Sequence, residues 1–177
     1  LKKINRKFIR IREPGGSKNS EKIRKLILDN KSSFNVNTDL LLYMSARSEN
    51  INLIKKNYKK KIILIDRFVD STIAYQHYGF GVDIKIINLI NKFLLQNIKV
   101  TFTFLNIVSL KNMNNRLKKR KKLNRYDKFN TVFYNKVQKG FLDILKKKKN
   151  KYLKVNSNLE INLNKKLIIN EIKKLIK

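Results

Sequence analysis

Cysteine is absent from this sequence, which excludes a disulfide framework and any thiolate metal site. Histidine occurs once, at His77, so a multi-histidine cluster is excluded too and any metal ion would be bound through oxygen. No apolar run approaches the roughly 20 residues of a membrane-spanning helix. The opening LKKINRKFIRIRE lacks the continuous apolar core of a signal peptide, and the expectation is a cytoplasmic protein. Proline also occurs once, and with 42% hydrophobic residues this argues against a low-complexity linker. Acidic residues are scarce: 12 Asp and Glu stand against 43 Lys and Arg, a net charge of +31. Because the excess is spread as lysine over all segments, it predicts non-specific, salt-sensitive association with nucleic acid and not a dedicated binding stripe.

What is present is an alternation of strand and helix within a length, 177 residues, suited to one domain. Lys7 to Ile11 reads as a strand leading into the turn Arg12-Glu13-Pro14-Gly15-Gly16. Asn19 or Ser20 is expected to cap a helix that turns Ile23, Leu26 and Ile27 to one face. A second helix is expected from Thr38 or Asp39, followed by a wholly buried strand Ile62-Ile63-Leu64-Ile65 that ends at Asp66-Arg67. Asp83 is expected to cap a helix with Ile86, Ile90, Phe93 and Leu94 inward. Val100 to Ile107 and Tyr152 to Val155 read as strands; Ser109 to Leu117, Phe129 to Ile144 and Lys166 to Ile176 read as helices. This order predicts a mostly parallel α/β sheet covered by helices on both faces.

Ligands of such sheets sit beyond the carboxyl ends of the strands, where Arg12 to Gly16 and Asp66 to Gln76 fall. A strand-end arginine can grip phosphate oxygens in pairs, and two glycines let the backbone come close to a ligand. The competing reading pairs Arg12 with Glu13, and Asp66 with Arg67, as surface ion pairs. Asp66 can alternatively hold a magnesium-bound water while Arg67 takes phosphate. Tyr43 and Arg47, four apart on one helix, share a face and can approach one planar ligand. Tyr75 and Gln76 add a second aromatic and an amide. Arginines 116, 120 and 125 surround the run Lys118 to Lys122, a concentration able to embrace a polyphosphate. The run Lys146 to Lys149 reads as a solvated helix end.

REPGG at Arg12 to Gly16, LLLYMSAR at Leu40 to Arg47, DR at Asp66-Arg67 and STIAYQ at Ser71 to Gln76 stand in the order and spacing of thymidylate kinase, and the sequence resembles that family along essentially its whole length. The resemblance implies a P-loop nucleoside monophosphate kinase fold over one domain, residues 1–177, with a lid at about 116–128. It implies transfer of the γ-phosphate of ATP to dTMP with Mg2+, giving dTDP, by a cytoplasmic homodimer. Arg12 and Arg67 resemble the arginines that hold the dTMP phosphate, and Tyr43 stands where the family stacks a phenylalanine on thymine. Arg47 resembles the helix arginine near the base. Ser71, Thr72 and Gln76 resemble polar groups of the acceptor site, and Tyr75 the aromatic beside the sugar. Arg116, Arg120 and Arg125 match the lid arginines that close over ATP.

The sequence also departs from the family. His77-Tyr78-Gly79-Phe80-Gly81 replaces a glycine-rich run that contains an arginine, Asn124-Arg125-Tyr126-Asp127 replaces an aspartate-arginine pair followed by glutamate, and Asn106 replaces an acid. His77 reads as a loop or interface residue and not as a proton-transfer group. The phosphate-loop pattern G-x-x-x-x-G-K-[ST] occurs nowhere, and Lys2 and Lys3 lack the glycine cradle needed to replace it. The expectation is therefore a domain incomplete at its amino end, lacking the first strand, the phosphate loop and most of the first helix, with the middle of its sheet exposed. Such a chain on its own is expected to be poorly stable and to show negligible ATP-dependent turnover. The alternatives to a working kinase are an inactive relative and a basic nucleotide- or nucleic-acid-binding protein.

Overall fold

The computed structural model describes residue 1 and residues 6–176; Lys2 and Lys3 lie outside the described residues. The described chain forms four strands and seven α-helices: β1 (Phe8–Arg12), α1 (Lys18–Leu28), α2 (Val36–Asn57), β2 (Ile62–Asp66), α3 (Val69–Thr72), α4 (Ile84–Leu95), β3 (Thr103–Ile107), α5 (Leu110–Lys118), α6 (Thr131–Lys147), β4 (Tyr152–Asn156) and α7 (Ile161–Leu175). α3 runs on into a π-helical stretch, Ile73–Gly79. Every strand pairing is parallel, as alternation of strand and helix requires. The strands form two pairs, β1 with β2 and β3 with β4, where the sequence predicted one sheet. No helix among the described residues is long and apolar enough to cross a membrane.

The chain divides into two compact units. The first holds residues 1–99 and 124–140, hence β1, β2, α1 to α4 and the front of α6. Its core has two parts, both built on α2. Ile11, Ile51 and Ile54 are buried together, with Ile9, Ile63 and Ile65 of the strand pair packed on them. Leu40, Met44, Val82 and Ile87 form the second part, with Ile73, Ile90 and Leu94 against them. Each buried isoleucine or leucine contributes about 1.5–3 kcal/mol, so one amphipathic helix holds strand pair and following helices together. The second unit holds residues 100–123 and 141–177, hence β3, β4, α5, α7 and the back of α6, with Leu105 of β3 and Val155 of β4 buried.

Several boundaries differ from expectation for local reasons. Ser17, not Asn19 or Ser20, caps α1, its side chain accepting the Ser20 N–H. Asn35 caps α2 three residues early by accepting the Thr38 N–H at 2.8 Å. Asp83 caps α4 and Ile90 and Leu94 pack inward as expected, but Ile87 and Asn91 are its buried residues, while Ile86 and Phe93 are exposed. Leu26 of α1 is exposed as well, leaving Ile27 buried. β2 is half-buried along Ile62 to Ile65 instead of wholly buried. β3 starts at Thr103, three residues late, whereas α6 and α7 begin at Thr131 and Ile161.

Two aromatic rings seal the first unit by lying on glycines. A methyl group at Gly140 of α6 would come within 2.7 Å of the Tyr78 ring, and one at Gly79 within 2.7 Å of Phe133. Overpacking of this kind costs about 1–3 kcal/mol. Gly140→Ala is accordingly expected to lower the urea midpoint despite alanine's better helix propensity; an unchanged or higher midpoint would show that Tyr78 yields freely.

Candidate active site

The carboxyl ends of β1 and β2 lie side by side, with Arg12 opposite Asp66 in register. The Glu13 N–H donates to the Asp66 carbonyl at 2.9 Å. From there the chain reverses through Gly15 and Gly16, at φ +116° and +111°, which L side chains rarely adopt. The turn is fastened from both neighbouring helices. The Gly15 N–H donates to Ser20 Oγ at 2.9 Å, Ser17 N–H to Asn50 Oδ1 at 3.0 Å, and Asn50 Nδ2 to the Gly15 carbonyl at 2.7 Å.

Three arginines crowd around this turn. Arg12 holds Glu21 in a bidentate grip through one guanidinium edge, Nε to Oε1 at 3.1 Å and Nη2 to Oε2 at 2.9 Å. Glu21 Oε1 also accepts the Gly16 N–H at 2.9 Å. Arg24 donates to the Pro14 carbonyl at 2.6 Å. Partial burial and then repulsion from Arg12 hold Arg24 below the usual arginine range, and Arg67 adds to that repulsion. Arg67 follows β2 directly at φ 62°, a left-handed backbone costing about 1–2 kcal/mol for such a residue. Its guanidinium lies 5.3 Å from the centre of the Tyr75 ring. Like charges gathered on a fastened, glycine-bearing turn favour an anion, and the Glu21 carboxylate rests against Arg12 and the Gly16 N–H.

Behind the turn lies a buried polar network. Arg47 is 2% exposed and Glu13 5%. Arg47 donates from Nε to Glu13 Oε2 at 2.9 Å, from Nη2 to Thr72 Oγ1 at 2.9 Å and from Nη1 to Asn91 Oδ1 at 2.5 Å. It stacks 4.9 Å from the Phe68 ring centre. Burial raises the Glu13 carboxyl above its usual range against the pull of Arg47, in keeping with an Oε1 that finds no hydrogen-bond partner among the described residues.

An aromatic wall stands beside this network. Tyr126 meets Tyr43 and Tyr75 edge-on, each with ring centres 5.8 Å apart, and Phe129 at 5.3 Å. Its phenol is held by Asp39, which also pairs with Arg125. Gln76, fully buried, reaches the same phenol at 3.5 Å. His77 donates from Nδ1 to the Val82 carbonyl at 2.7 Å, which fixes its tautomer and gives the ring a structural job. A cavity of about 230 Å³ lies against this wall, lined by Ser32, Ser33, Phe34, Phe80, Arg125 and Phe129.

The family model for thymidylate kinase matches residues 1–168. The chain belongs to the thymidylate kinase family. It is 41% identical to the thymidylate kinase of Wolbachia pipientis wMel over 136 residues, 75% of this chain and 66% of that protein. It is 35% identical to the thymidylate kinase of Sulfurihydrogenibium sp. over 156 residues, 86% of this chain and 76% of that protein. The crystal structure of thymidylate kinase from Ehrlichia chaffeensis superposes with a TM-score of 0.72 at 28% identity, covering 94% of this chain and 80% of that one. The chain thus spans between about two thirds and about four fifths of the length of these thymidylate kinases.

Against the site residues that the thymidylate kinase resemblance implies, the first unit brings together Arg12, Tyr43, Arg47, Arg67, Thr72, Tyr75 and Gln76. Arg12 pairs with Glu21 and not with Glu13, whose partner is Arg47. Thr72 is buried and spends its hydroxyl on Arg47, while Ser71 is half-buried beside it. Asp66 is exposed at the strand end. Arg125 belongs to the first unit, whereas Arg116 and Arg120 belong to the second. There Arg116 donates to the Ser157 carbonyl at 2.5 Å and Arg120 is exposed just beyond α5. Sequence reasoning missed Glu21 and Arg24, whose i,i+3 spacing on α1 is a signal only once Arg12 is known to face them. It read Asp39 as a helix start, and it did not anticipate Asn91 because an asparagine set directly before Lys92 looks like a solvent face.

Among the described residues no three carboxylates or histidines gather as a metal cage. Magnesium is usually held by one or two carboxylates, water and substrate phosphates, an arrangement that Asp66 alone at the strand end fits.

Removing one partner of the buried Arg47–Glu13 pair strands a charge, at about 3–5 kcal/mol. Arg47→Ala is expected to lose that much in denaturant unfolding, and a loss no larger than that of an exposed arginine would refute the pinning role. Hydrogen bonds from Arg12 hold the Glu21 carboxyl below its usual range. Its contribution is therefore present above the ordinary carboxylate range and fades as pH falls through the lowered value. Glu21→Gln should lower Tm at neutral pH and converge with the parent in strong acid.

Proposed function

We propose that this chain phosphorylates dTMP to dTDP, taking the γ-phosphate of ATP with Mg2+. Family membership supports the reaction class. The observation that carries the acceptor is the crowding of Arg12, Arg24 and Arg67 at two parallel strand ends, where a carboxylate already rests against one of them. A nucleoside monophosphate would bring its phosphate to these arginines and its base to the aromatic wall of Tyr43 and Tyr75. Tyrosine in place of phenylalanine keeps the stacking face, and burial raises the Tyr43 phenol further so that the ring stays neutral. Gln76 offers a buried amide whose Oε1 has no partner among the described residues, suited to a base edge. Phosphoryl transfer needs positioning and charge neutralisation more than covalent help, and arginines fixed by their neighbours provide both. Arg116 and Arg120 serve the donor phosphates, and Asp66 the magnesium-bound water.

The working form is a cytoplasmic homodimer in this reading. The exposed apolar side chains of α4, Ile86, Leu89 and Phe93, supply a surface for association. The relatives are thymidylate kinases and lend the inactive relative no support, and charge spread over the whole chain gives the nucleic-acid binder no dedicated stripe.

The test is formation of dTDP from dTMP, ATP and Mg2+, followed by 31P NMR. Arg67→Ala is expected to lower kcat on the order of 10²-fold. Tyr43→Ala should raise the KM for dTMP roughly tenfold, the worth of one base stack. Equal turnover of dTMP by the Arg67 variant, or an unchanged KM in the Tyr43 variant, would remove these roles.

A further inference from the structure

We infer that Asp39 is a positioning residue of the acceptor pocket, and that Arg125 works through it on the acceptor side instead of closing over the nucleotide donor. The inference rests on the dTMP kinase reading. Asp39 is 2% exposed. Both of its carboxylate oxygens are engaged, Oδ1 by Arg125 Nη2 and Oδ2 by the Tyr126 hydroxyl. Arg125 is tied twice more: Nε donates to the Ile27 carbonyl at 3.1 Å, and its backbone N–H to the Leu28 carbonyl at 3.4 Å. Its guanidinium also lies 5.4 Å from the Phe34 ring centre and 5.0 Å from that of Tyr126.

These contacts set what Arg125 can do. Turning toward a polyphosphate would leave a desolvated carboxylate without its cation, and a buried charge stripped of its partner is strongly unfavourable. Arg125 is therefore a clasp that joins the end of α1, the loop before α2 and the segment after Leu123. Its beneficiary is Tyr126. Tyr43, Tyr75 and Gln76 all lean on that one residue, two through ring edges at 5.8 Å and one through its amide at 3.5 Å. The Tyr134 hydroxyl holds the Tyr126 carbonyl from α6 at 2.7 Å. Burial raises the Tyr126 phenol well above the usual range, so it remains a donor to Asp39 throughout the working pH. The base-facing and sugar-facing groups are thus aligned by an acid that is too deep to touch the nucleotide.

The experiment varies dTMP and ATP separately in steady-state kinetics of the full chain, with Asp39→Asn, Asp39→Glu, Arg125→Met and Tyr126→Phe. Asp39→Asn and Arg125→Met should each raise the KM for dTMP about tenfold, the effect of leaving a buried donor or acceptor unmet. The KM for ATP should stay within about twofold. Asp39→Glu should restore part of the affinity, and the double variant Asp39→Asn with Arg125→Met should be no worse than either single change. Tyr126→Phe keeps the ring and deletes only the O–H, so it tests the clasp without threatening the fold; it should weaken dTMP binding measured by calorimetry. A rise in the KM for ATP with dTMP unaffected would return Arg125 to the donor side and overturn the inference. Variants that melt earlier yet bind dTMP normally would reduce Asp39 to a purely structural role. A parent chain that neither binds nor phosphorylates dTMP would overturn the functional reading itself, and this inference with it.

Discussion

Almost everything around the carboxyl ends of β1 and β2 depends on one guanidinium that is almost wholly withdrawn from solvent. Arg47 sits in the middle of α2 and donates a hydrogen bond to each of three other segments: to Glu13 of the turn after β1, to Thr72 of α3, and to Asn91 of α4. A planar cation with several donors suits a junction of elements that must meet at fixed angles, because each donor direction is set by the others. Hydrophobic contacts of α2 supply the bulk of the cohesion, yet they tolerate sliding. The buried fork does not, and so the turn carrying Arg12 and the π-helical stretch carrying Tyr75 and Gln76 keep their relative places.

The surface and the site obey different electrostatic rules. A charge of +31 spread over the chain gives repulsion that salt screens over about 8–10 Å. At the strand ends the same sign of charge is instead arranged: Arg12 is met by Glu21, Arg24 by a carbonyl, and Arg67 by an aromatic face. Each cation has a neighbour that offsets its charge, so three arginines stand close together without driving the turn apart. Net charge thus says little about the task, and local pairing says much.

How far the sequence discloses this follows from the range of each interaction. Strand runs such as Ile62 to Ile65, the cap at Asp83 and the helix start near Ser109 are local and were legible to within a few residues. The helix faces were less so. In α4, Ile86 and Phe93 looked as apolar as Ile87, and only packing against α2 decides that Ile87 and Asn91 turn inward. The placement of Arg12 and Arg67 at strand ends was legible because the alternation of strand and helix fixes those ends, and their order resembles the thymidylate kinase family. Partners were not legible: Glu13 with Arg47 and Asp39 with Arg125 join positions 34 and 86 apart, and no short-range pattern carries such pairings.

The left-handed backbone at Arg67 also bears on how this gene can drift. The sequence is rich in lysine, asparagine and isoleucine, as though substitution had run toward those three residues wherever packing allowed. At φ 62° asparagine is at ease, lysine is tolerated and isoleucine is strongly disfavoured by its branched Cβ. Arginine at this position has neither the comfort of asparagine nor the general direction of the drift in its favour. An arginine here consequently carries a backbone cost that an arginine in a helix does not, and of its replacements only glycine and asparagine would shed it.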